Sequence, residues 1–211
     1  MKYILMCGGN YKDFKTPKHL SKIKGEVLIE RTIRLLRENG IKEIYISTNN
    51  PAFDYLGDIP KLKHINTFTL EGDKTTGYWL DAFYPTNEEV CYIFGDVYFS
   101  NKAIKTIVEY QCKENTLFGN SVAKNEEHQN WGEPFAYKVV KPKEFRDGIN
   151  KVKELYNQGK TIRNPIVWEL YRYLHNLDIN IQRIKEDYVC IDDYTIDIDY
   201  PDRIEELNKE I

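Results

Sequence analysis

The segment Tyr3-Ile4-Leu5-Met6-Cys7-Gly8-Gly9 decides the fold that we expect for this chain. Its apolar run predicts a short buried strand, from Lys2 to Cys7. Paired glycines directly after such a strand let backbone N–H groups approach a ligand closely at the carboxyl edge of a sheet. The lysine-containing loop that follows, residues 10–18, supplies positive charge. The segment therefore predicts a loop that binds a polyphosphate.

Two common phosphate-binding loops are excluded at this position. A dinucleotide-binding loop needs three glycines in a tight turn before a helix, and only Gly8 and Gly9 are present here. A P-loop needs Gly-Lys-Ser or Gly-Lys-Thr directly ahead of its helix, and the segment after Gly9 contains neither. The loop instead ends in Pro17-Lys18, which indicates a third type of phosphate loop.

Length and composition favour one soluble α/β domain over residues 1–211, with a less regular stretch at 125–164 that we expect to form a small lobe. The net charge of -3 provides no general attraction to nucleic acid. The four cysteines have no Cys-x-x-Cys spacing, so a zinc site or a redox motif is not expected. No signal peptide or membrane-length apolar segment is recognised, which favours the cytoplasm and no membrane partner.

Apolar periodicity predicts an alternating order of strands and helices in a right-handed arrangement. Gly40 is expected to end the first helix, and Val90–Phe94 reads as a central parallel strand because it is apolar throughout. The predicted helices are Glu26–Asn39, one beginning near Thr76, Lys102–Gln111, Lys143–Asn157, Pro165–Leu174 and Tyr200–Lys209. The further predicted strands are Glu43–Ser47, Lys63–Asn66, Thr116–Val122, Phe135–Val140, Ile179–Ile184 and Tyr188–Ile191.

Acidic residues stand at two predicted strand ends. Asp96 follows the central strand, and Asp197-Ile198-Asp199 precedes the last helix. Carboxylates at such positions are poorly solvated and need a cation or hydrogen-bond donors. Next to bound phosphates they would form a magnesium site, because Mg²⁺ prefers oxygen ligands and shares them with phosphate. The competing interpretation is that these aspartates only cap helices or turns.

Taken together in order and spacing, these motifs resemble the sugar-phosphate nucleotidyltransferases over nearly the whole chain. That family joins a nucleoside triphosphate (NTP) to a phosphorylated metabolite and releases pyrophosphate. The matching pieces are Leu5-Met6-Cys7-Gly8-Gly9, Pro17-Lys18, Gly25–Thr32, Gly40–Ile44, Thr75-Thr76-Gly77, Gly95-Asp96 and Ile196–Asp202.

The resemblance implies a three-layer α/β/α sandwich with a mostly parallel sheet, an antiparallel strand near the acceptor side, and Mg²⁺ as cofactor. It implies nucleotide binding by Cys7, Gly8, Gly9, Lys12, Lys18, Thr75, Thr76 and Gly77. It implies metal binding by Asp96, Asp197 and Asp199, and a catalytic role for Lys12, Lys18 and Asp96. The partners are then an NTP and a small phosphorylated sugar or alcohol, and the product supplies surface polysaccharide synthesis.

The loop departs from the family pattern, which usually reads Gly-Gly-x-Gly-x-Arg before Pro-Lys. The third glycine and the arginine are absent, and Lys12 or Lys15 would have to supply the charge. The altered loop leaves open a non-catalytic nucleotide-binding protein. A glycosyltransferase of the same fold also stays open, although it would favour Asp-x-Asp where this chain has Gly95-Asp96-Val97-Tyr98. The irregular stretch contains secondary candidates for contact with the second substrate, for which a surface-loop role is favoured: His128, Trp131, Arg163 and Asn164.

Overall fold

The computed structural model describes residues 1–8, 13–63, 67–71, 74–120, 132–184 and 187–209. In these ranges the α-helices are α1 (Leu28–Glu38), α2 (Asn101–Glu109), α3 (Pro142–Asn157), α4 (Val167–Leu174) and α5 (Pro201–Lys209). The strands are β1 (Lys2–Met6), β2 (Lys22–Ile23), β3 (Glu26–Val27), β4 (Ile44–Ser47), β5 (Lys61–Leu62), β6 (Thr69–Glu71), β7 (Lys74–Thr76), β8 (Val90–Phe94), β9 (Val97–Tyr98), β10 (Thr116–Gly119), β11 (Pro134–Val139), β12 (Tyr188–Cys190) and β13 (Ile196–Asp197). Short 3₁₀ helices cover Lys18–Leu20, Pro51–Phe53 and Trp79–Ala82.

The main sheet has seven strands in the order β12-β10-β11-β8-β1-β4-β5. Strand β1 pairs in parallel with β4 and β8, whereas β11 runs antiparallel to both of its neighbours. Helix α1 contacts α2, and α3 contacts α4. The architecture is therefore the predicted α/β/α sandwich, with a mostly parallel sheet and one reversed strand.

The predicted elements around β1 are confirmed with small shifts of their ends. Helix α1 buries Ile29, Ile33 and Leu36 in the main core and Leu28 in a smaller second cluster, and these residues recur at helical spacing. It begins two residues later than expected because Glu26–Val27 forms a hairpin with β2. Gly40 has a φ of +82°, as a helix-terminating glycine should. The apolar strand Val90–Phe94 is buried throughout and lies beside β1.

Two predicted elements are wrong. The helix expected near Thr76 is absent, because Lys74–Thr76 is strand β7 and Gly77, with a φ of +68°, interrupts the backbone before the 3₁₀ helix. The apolar pattern in Ile179–Ile184 produces turns and irregular backbone instead of a strand. This segment is attached to α4 by Arg172, whose Nη2 donates to Gln182 Oε1 over 2.6 Å, so its local β propensity does not decide its structure.

Some predicted features lie partly outside the described residues. The strand expected at Lys63–Asn66 occurs earlier, as β5, and residues 64–66 are not described. The strand expected to reach Val122 ends at Gly119 in the described part, and residues 121–131 are not described. Within the predicted lobe at 125–164, β11 belongs to the main sheet and α3 packs against α4. None of the helices in the described ranges is both long and apolar enough to cross a bilayer.

A buried lysine of the reversed strand stabilises the end of α2. Lys138 is 5% exposed, and its Nζ donates to the carbonyl oxygens of Ile107, Val108 and Tyr110 over 2.8, 3.1 and 2.8 Å. The last turn of α2 has no basic residue of its own. Lys138 therefore supplies, from β11, the cation and the donors that the carboxyl end of a helix requires.

We expect Lys138→Met to lower the free energy of unfolding by about 2–4 kcal/mol, because buried carbonyl groups lose their donors. Urea denaturation followed by circular dichroism measures the change. Lys143→Met is the matched control, since Lys143 is exposed on α3 and forms a surface ion pair with Asp147. That pair should contribute less than about 1 kcal/mol. Equal losses in the two variants would contradict the capping role of Lys138.

Candidate functional site

The carboxyl ends of β1 and β8 meet at one edge of the sheet. Gly95 N donates to Met6 O over 3.2 Å, which brings the residue before Asp96 against the end of β1. A Cβ on Gly95 would lie 2.6 Å from Met6 O and 2.7 Å from Cys7 Sγ, so only glycine permits this approach. Asp96 and Gly8 are thereby located at the same edge, as the sequence predicts.

The second acidic segment reaches this edge by strand pairing. Asp197 in β13 is opposite Val97 in β9, and Ile198 N donates to Asp96 O over 3.0 Å. Ile198 is fully buried, in a small cluster that also contains residues of β2, α1 and α5. This anchor holds Asp197 and Asp199 beside Asp96 although they come from distant parts of the chain.

Lys18 lies among these carboxylates. Its Nζ is 2.8 Å from Asp96 Oδ2 and 3.7 Å from Asp199 Oδ1, and its side chain is only 12% exposed. Burial alone would lower the pKa of Lys18, but attraction by Asp96, Asp197 and Asp199 raises it overall. Lys18 therefore remains an ammonium ion at the point where the two acidic segments meet.

The pKa values of two of the carboxyl groups are shifted in opposite directions by this environment. Burial opposes ionisation of Asp96, but Lys18 and hydrogen bonding outweigh it and lower the pKa of Asp96. Burial raises the pKa of Asp197 well above its usual range, and the neighbouring charges of Asp96, Asp199 and Glu133 raise it further. Asp96 thus carries the negative charge, while Asp197 is driven to retain a proton.

One buried carboxyl oxygen of this cluster is left without a partner by Lys18 and the backbone. Asp197 Oδ1 is buried and has no hydrogen-bond partner among the described residues. No group of three His, Cys, Asp or Glu side chains in those residues is arranged to hold a metal ion by itself. An oxygen-seeking divalent ion nevertheless fits the carboxylates, provided that phosphate oxygens complete its coordination.

Glu133 is a fourth acid here that the sequence analysis did not identify. Its Oε2 accepts from Asp197 N over 3.2 Å, and burial raises its pKa, with a further contribution from Asp199. Glu133 directly precedes β11, whose reversed direction brings its amino end to the edge where β8 ends. The sequence does show an acidic residue just before the predicted strand Phe135–Val140. Its place in the site can be inferred only when the order and direction of the strands are known.

The segment Thr75–Gly77 is held near the same edge. The Trp79 ring lies 6.1 Å from that of Phe94, the last residue of β8. Asn164, from the loop before α4, donates from Nδ2 to Gly77 O over 2.9 Å and accepts from Trp79 N over 3.2 Å. Asn164, one of the secondary candidates for contact with the second substrate, thus bridges the backbone around Gly77.

Other predicted site residues have different outcomes. Gly9 and Lys12 lie outside the described residues, as do the secondary candidates His128 and Trp131. Cys7 is fully buried, and burial raises the pKa of its thiol, so its contribution is through packing and backbone. His19 is buried behind Lys18, and burial lowers its pKa to about 4, which keeps the imidazole neutral.

Solved structures share this architecture over almost their whole length. A Bacillus anthracis protein assigned as a glucose-1-phosphate thymidylyltransferase, in complex with sucrose, superposes with a TM-score of 0.62 at 15% identity, covering 100% of this chain and 96% of its own. The CTP:phosphocholine cytidylyltransferase of Streptococcus pneumoniae superposes with a TM-score of 0.55 at 16% identity, and the match covers 99% of this chain and 97% of its own. Rv0371c of Mycobacterium tuberculosis, in complex with manganese, superposes with a TM-score of 0.56 at 10% identity, and the match covers 100% of this chain and 98% of its own.

The chain has the fold of the nucleotidyltransferases. This confirms the resemblance stated from the sequence at the level of fold. No protein-family model matches the sequence, and no curated protein matches it. The roles predicted for Lys18, Asp96, Asp197 and Asp199 remain predictions, although the nucleotidyltransferase fold brings these four residues together.

Asp197→Asn should make the protein more stable at pH 8 in the presence of EDTA. Because the pKa of Asp197 is raised in the folded state, the free energy of unfolding falls as pH rises from the unfolded pKa through the folded one. The substitution removes this loss, and the free energies of unfolding of the variant and the wild type should become equal below about pH 4. Urea denaturation from pH 4 to pH 8 measures the difference, with the exposed Asp192→Asn as control. A variant less stable than the wild type at pH 8 would contradict the electrostatic account.

Gly77→Ala should disturb the backbone of the Thr75–Gly77 segment for two reasons, an unfavourable positive φ and a steric clash. A Cβ at Gly77 would overlap the Thr67 carbonyl, whereas Gly25, with a φ of +83°, has open space around its Cβ position. Both alanine variants therefore have an unfavourable φ, and only the first has a clash. We expect Gly77→Ala to weaken Mg–NTP binding at least tenfold and Gly25→Ala to leave it within about twofold. Isothermal titration calorimetry distinguishes the two, and equal affinities would exclude a role for this segment in binding.

Proposed function

We propose that this protein transfers a nucleotidyl group from an NTP to the phosphate of a small sugar or alcohol and releases pyrophosphate. The observation that carries the proposal is the convergence of Lys18, Asp96, Asp197 and Asp199 at the edge of the sheet where β1 ends, two residues before Gly8. A charged cluster of this kind suits a highly charged ligand better than a neutral one. The similar folds of a thymidylyltransferase and a cytidylyltransferase support this reaction class.

Lys18 would contact the phosphates of the nucleotide. It already lies as an ammonium ion inside the site, and Pro17 and the 3₁₀ helix Lys18–Leu20 fix its backbone. Gly8 would present backbone donors, and the segment Thr75–Gly77 would contact the base. We assign Gly9 and Lys12 to the same phosphate loop from the sequence alone. Lys12 would supply the second cation in place of the arginine that is usual in the family.

A divalent ion, which we propose to be Mg²⁺, would be held by Asp96, Asp197 and Asp199 together with phosphate oxygens. The buried, unpartnered Oδ1 of Asp197 supports this assignment, because a cation there would restore the ionised carboxylate. The manganese complex of Rv0371c supports a divalent ion in a protein of this fold. When bound, such an ion withdraws negative charge from the phosphate oxygens.

The proposed chemistry needs no general base. An acceptor phosphate is already ionised near neutral pH, so its oxygen attacks the α-phosphorus directly. One P–O bond forms to the acceptor, the bond to the β-phosphate oxygen breaks, and pyrophosphate leaves with that electron pair. The residues of the chain orient the two phosphates in line and offset their repulsion, which is the main contribution of a protein to phosphoryl transfer.

The acceptor and the setting follow from the same proposal. Glucose 1-phosphate and phosphocholine are named for two proteins of this fold, which supports a phosphorylated sugar or a small phosphorylated alcohol. We propose that the reaction takes place in the cytoplasm and produces an activated precursor for surface polysaccharide.

Pyrophosphate release should be detected when CTP, UTP, GTP, ATP or dTTP is combined with Mg²⁺ and a panel of sugar and alcohol phosphates. Asp96→Asn should remove most of the turnover with the productive pair. Lys18→Met should raise the barrier by about 2–4 kcal/mol, because an electrostatic contact to the phosphates is lost. Lys22→Met, at an exposed lysine nearby in the sequence, should retain wild-type rates, and circular dichroism verifies the fold of each variant.

Three results would contradict the proposal. Release of a nucleoside diphosphate from a nucleotide-sugar would identify a glycosyltransferase. Tight Mg–NTP binding without turnover on any acceptor would identify a non-catalytic nucleotide-binding protein. Full activity of Asp96→Asn would exclude the acidic cluster as the reaction site.

A further inference from the structure

A cavity of ≈ 310 Å³ lies between α3 and the segment Leu80–Thr86. It reaches Val90, at the amino end of β8, whereas Asp96 lies beyond the carboxyl end of that strand. A five-residue strand spans about 15 Å, so the cavity is separate from the acidic cluster. Its volume is at the small end of the range for ligand pockets, which is roughly 300–1,000 Å³. A molecule with a single ring would fill it.

The floor of the cavity is aromatic. The Phe83 ring lies 5.0 Å from that of Tyr92 and 5.2 Å from that of Phe145, in both cases edge to face. Leu80 and Val139 extend the apolar surface. The Tyr92 hydroxyl donates to Tyr84 O, so the ring exposes no unpaired hydroxyl to the cavity. Such a floor favours another aromatic ring, since aromatic pairs prefer offset or edge-to-face contacts at these distances.

The mouth of the cavity is positively charged. Arg146, Asn150 and Lys153 lie on one face of α3, at spacings of four and three residues, and line the opening. Lys153 forms an ion pair with Asp81 across the mouth. In the described part of the chain, Arg146 has no ion pair or hydrogen bond, and the adjacent Asp147 is paired with Lys143 at 2.7 Å. The mouth therefore has one cation in excess.

We propose that this cavity is a binding site for a small aromatic monocarboxylate. The ring packs on Phe83 and Phe145, and the carboxylate accepts hydrogen bonds from the Arg146 guanidinium and from the amide of Asn150. A planar guanidinium matches a carboxylate with two parallel hydrogen bonds. The single excess positive charge favours a monoanion over a phosphate that carries two negative charges.

The site is connected to the segment predicted to contact the base. Asp81 accepts hydrogen bonds from Lys153 on one side of the cavity and from Thr67 on the other. Thr67 Oγ1 also accepts from Tyr78 N over 3.1 Å, next to Gly77. The cavity and the Thr75–Gly77 segment therefore share one hydrogen-bonded chain. The binding proposal stands independently of the proposed transferase activity, because no residue of the acidic cluster contributes to the cavity.

Phenylacetate is a suitable probe, with phenylacetamide as its neutral analogue and acetate as the anion without a ring. Isothermal titration calorimetry on the full chain should show that phenylacetate binds more tightly than both. Arg146→Met should weaken phenylacetate at least tenfold and bring its affinity close to that of phenylacetamide. Lys143→Met is the matched control on α3, since that side chain is 84% exposed, and it should bind like the wild type. Asn150→Trp, at an exposed position of the mouth, should abolish binding of both aromatic probes.

The proposal fails if phenylacetate shows no binding to the wild type at millimolar concentration. It also fails if phenylacetamide binds equally well, because the positive charge at the mouth would then not favour the carboxylate over the neutral amide. Equal affinities of the Arg146→Met and Lys143→Met variants, or unchanged binding after Asn150→Trp, would locate the probe elsewhere on the protein. All three variants change solvent-accessible side chains, and their unfolding curves show whether they are folded.

Discussion

The electrostatic interaction of Lys18 with Asp96, Asp197 and Asp199 is the constraint on which the candidate active site depends. Carboxylates brought together at a partly buried site repel one another unless a cation lies among them. Lys18 is that cation in the isolated chain. It links the N-terminal loop, the residue after the central strand and the C-terminal acidic segment.

This arrangement is unfavourable for the stability of the isolated chain. The buried Asp197 is next to other carboxylates, lacks a hydrogen-bond partner on Oδ1 among the described residues, and is driven to remain protonated. A cluster selected for stability alone would not retain such a group. Its persistence agrees with a ligand that brings its own cation and phosphate oxygens. Stored electrostatic strain of this kind is typical of functional sites.

The two ends of β8 have different surroundings. The carboxyl end adjoins the charged cluster and tightly packed backbone, where Gly95 allows contact with β1. The amino end adjoins an aromatic cavity with a positively charged mouth. Asp81 connects the cavity, through Thr67, to the backbone near Gly77. A ligand in the proposed site would therefore lie next to Asp81, which is hydrogen-bonded through Thr67 to the backbone beside the proposed nucleotide-binding segment.

Much of the fold could be predicted because local patterns agree with the tertiary structure. The apolar runs of β1 and β8 are buried on both faces, and the helical spacing of Leu28, Ile29, Ile33 and Leu36 matches a real core face. The strand predicted at Ile179–Ile184 is wrong because long-range contacts override its local propensity. The helix predicted near Thr76 is wrong because the positive φ of Gly77 interrupts the backbone before a helix can begin. Glu133 was missed because its position depends on the direction of β11.

The sequence by itself determined the class of fold, the glycine pair after the first strand and the acidic residues at strand ends, because these depend on residue type and local spacing. Only the tertiary structure decided that Lys18 lies between two distant acidic segments, that Asn164 bridges the backbone at Gly77, and that Lys138 caps α2. Those interactions join residues far apart in the chain, and their distances follow from the strand order and register. Hydrophobic periodicity specifies which face of an element is buried, but not which polar groups then meet at its ends.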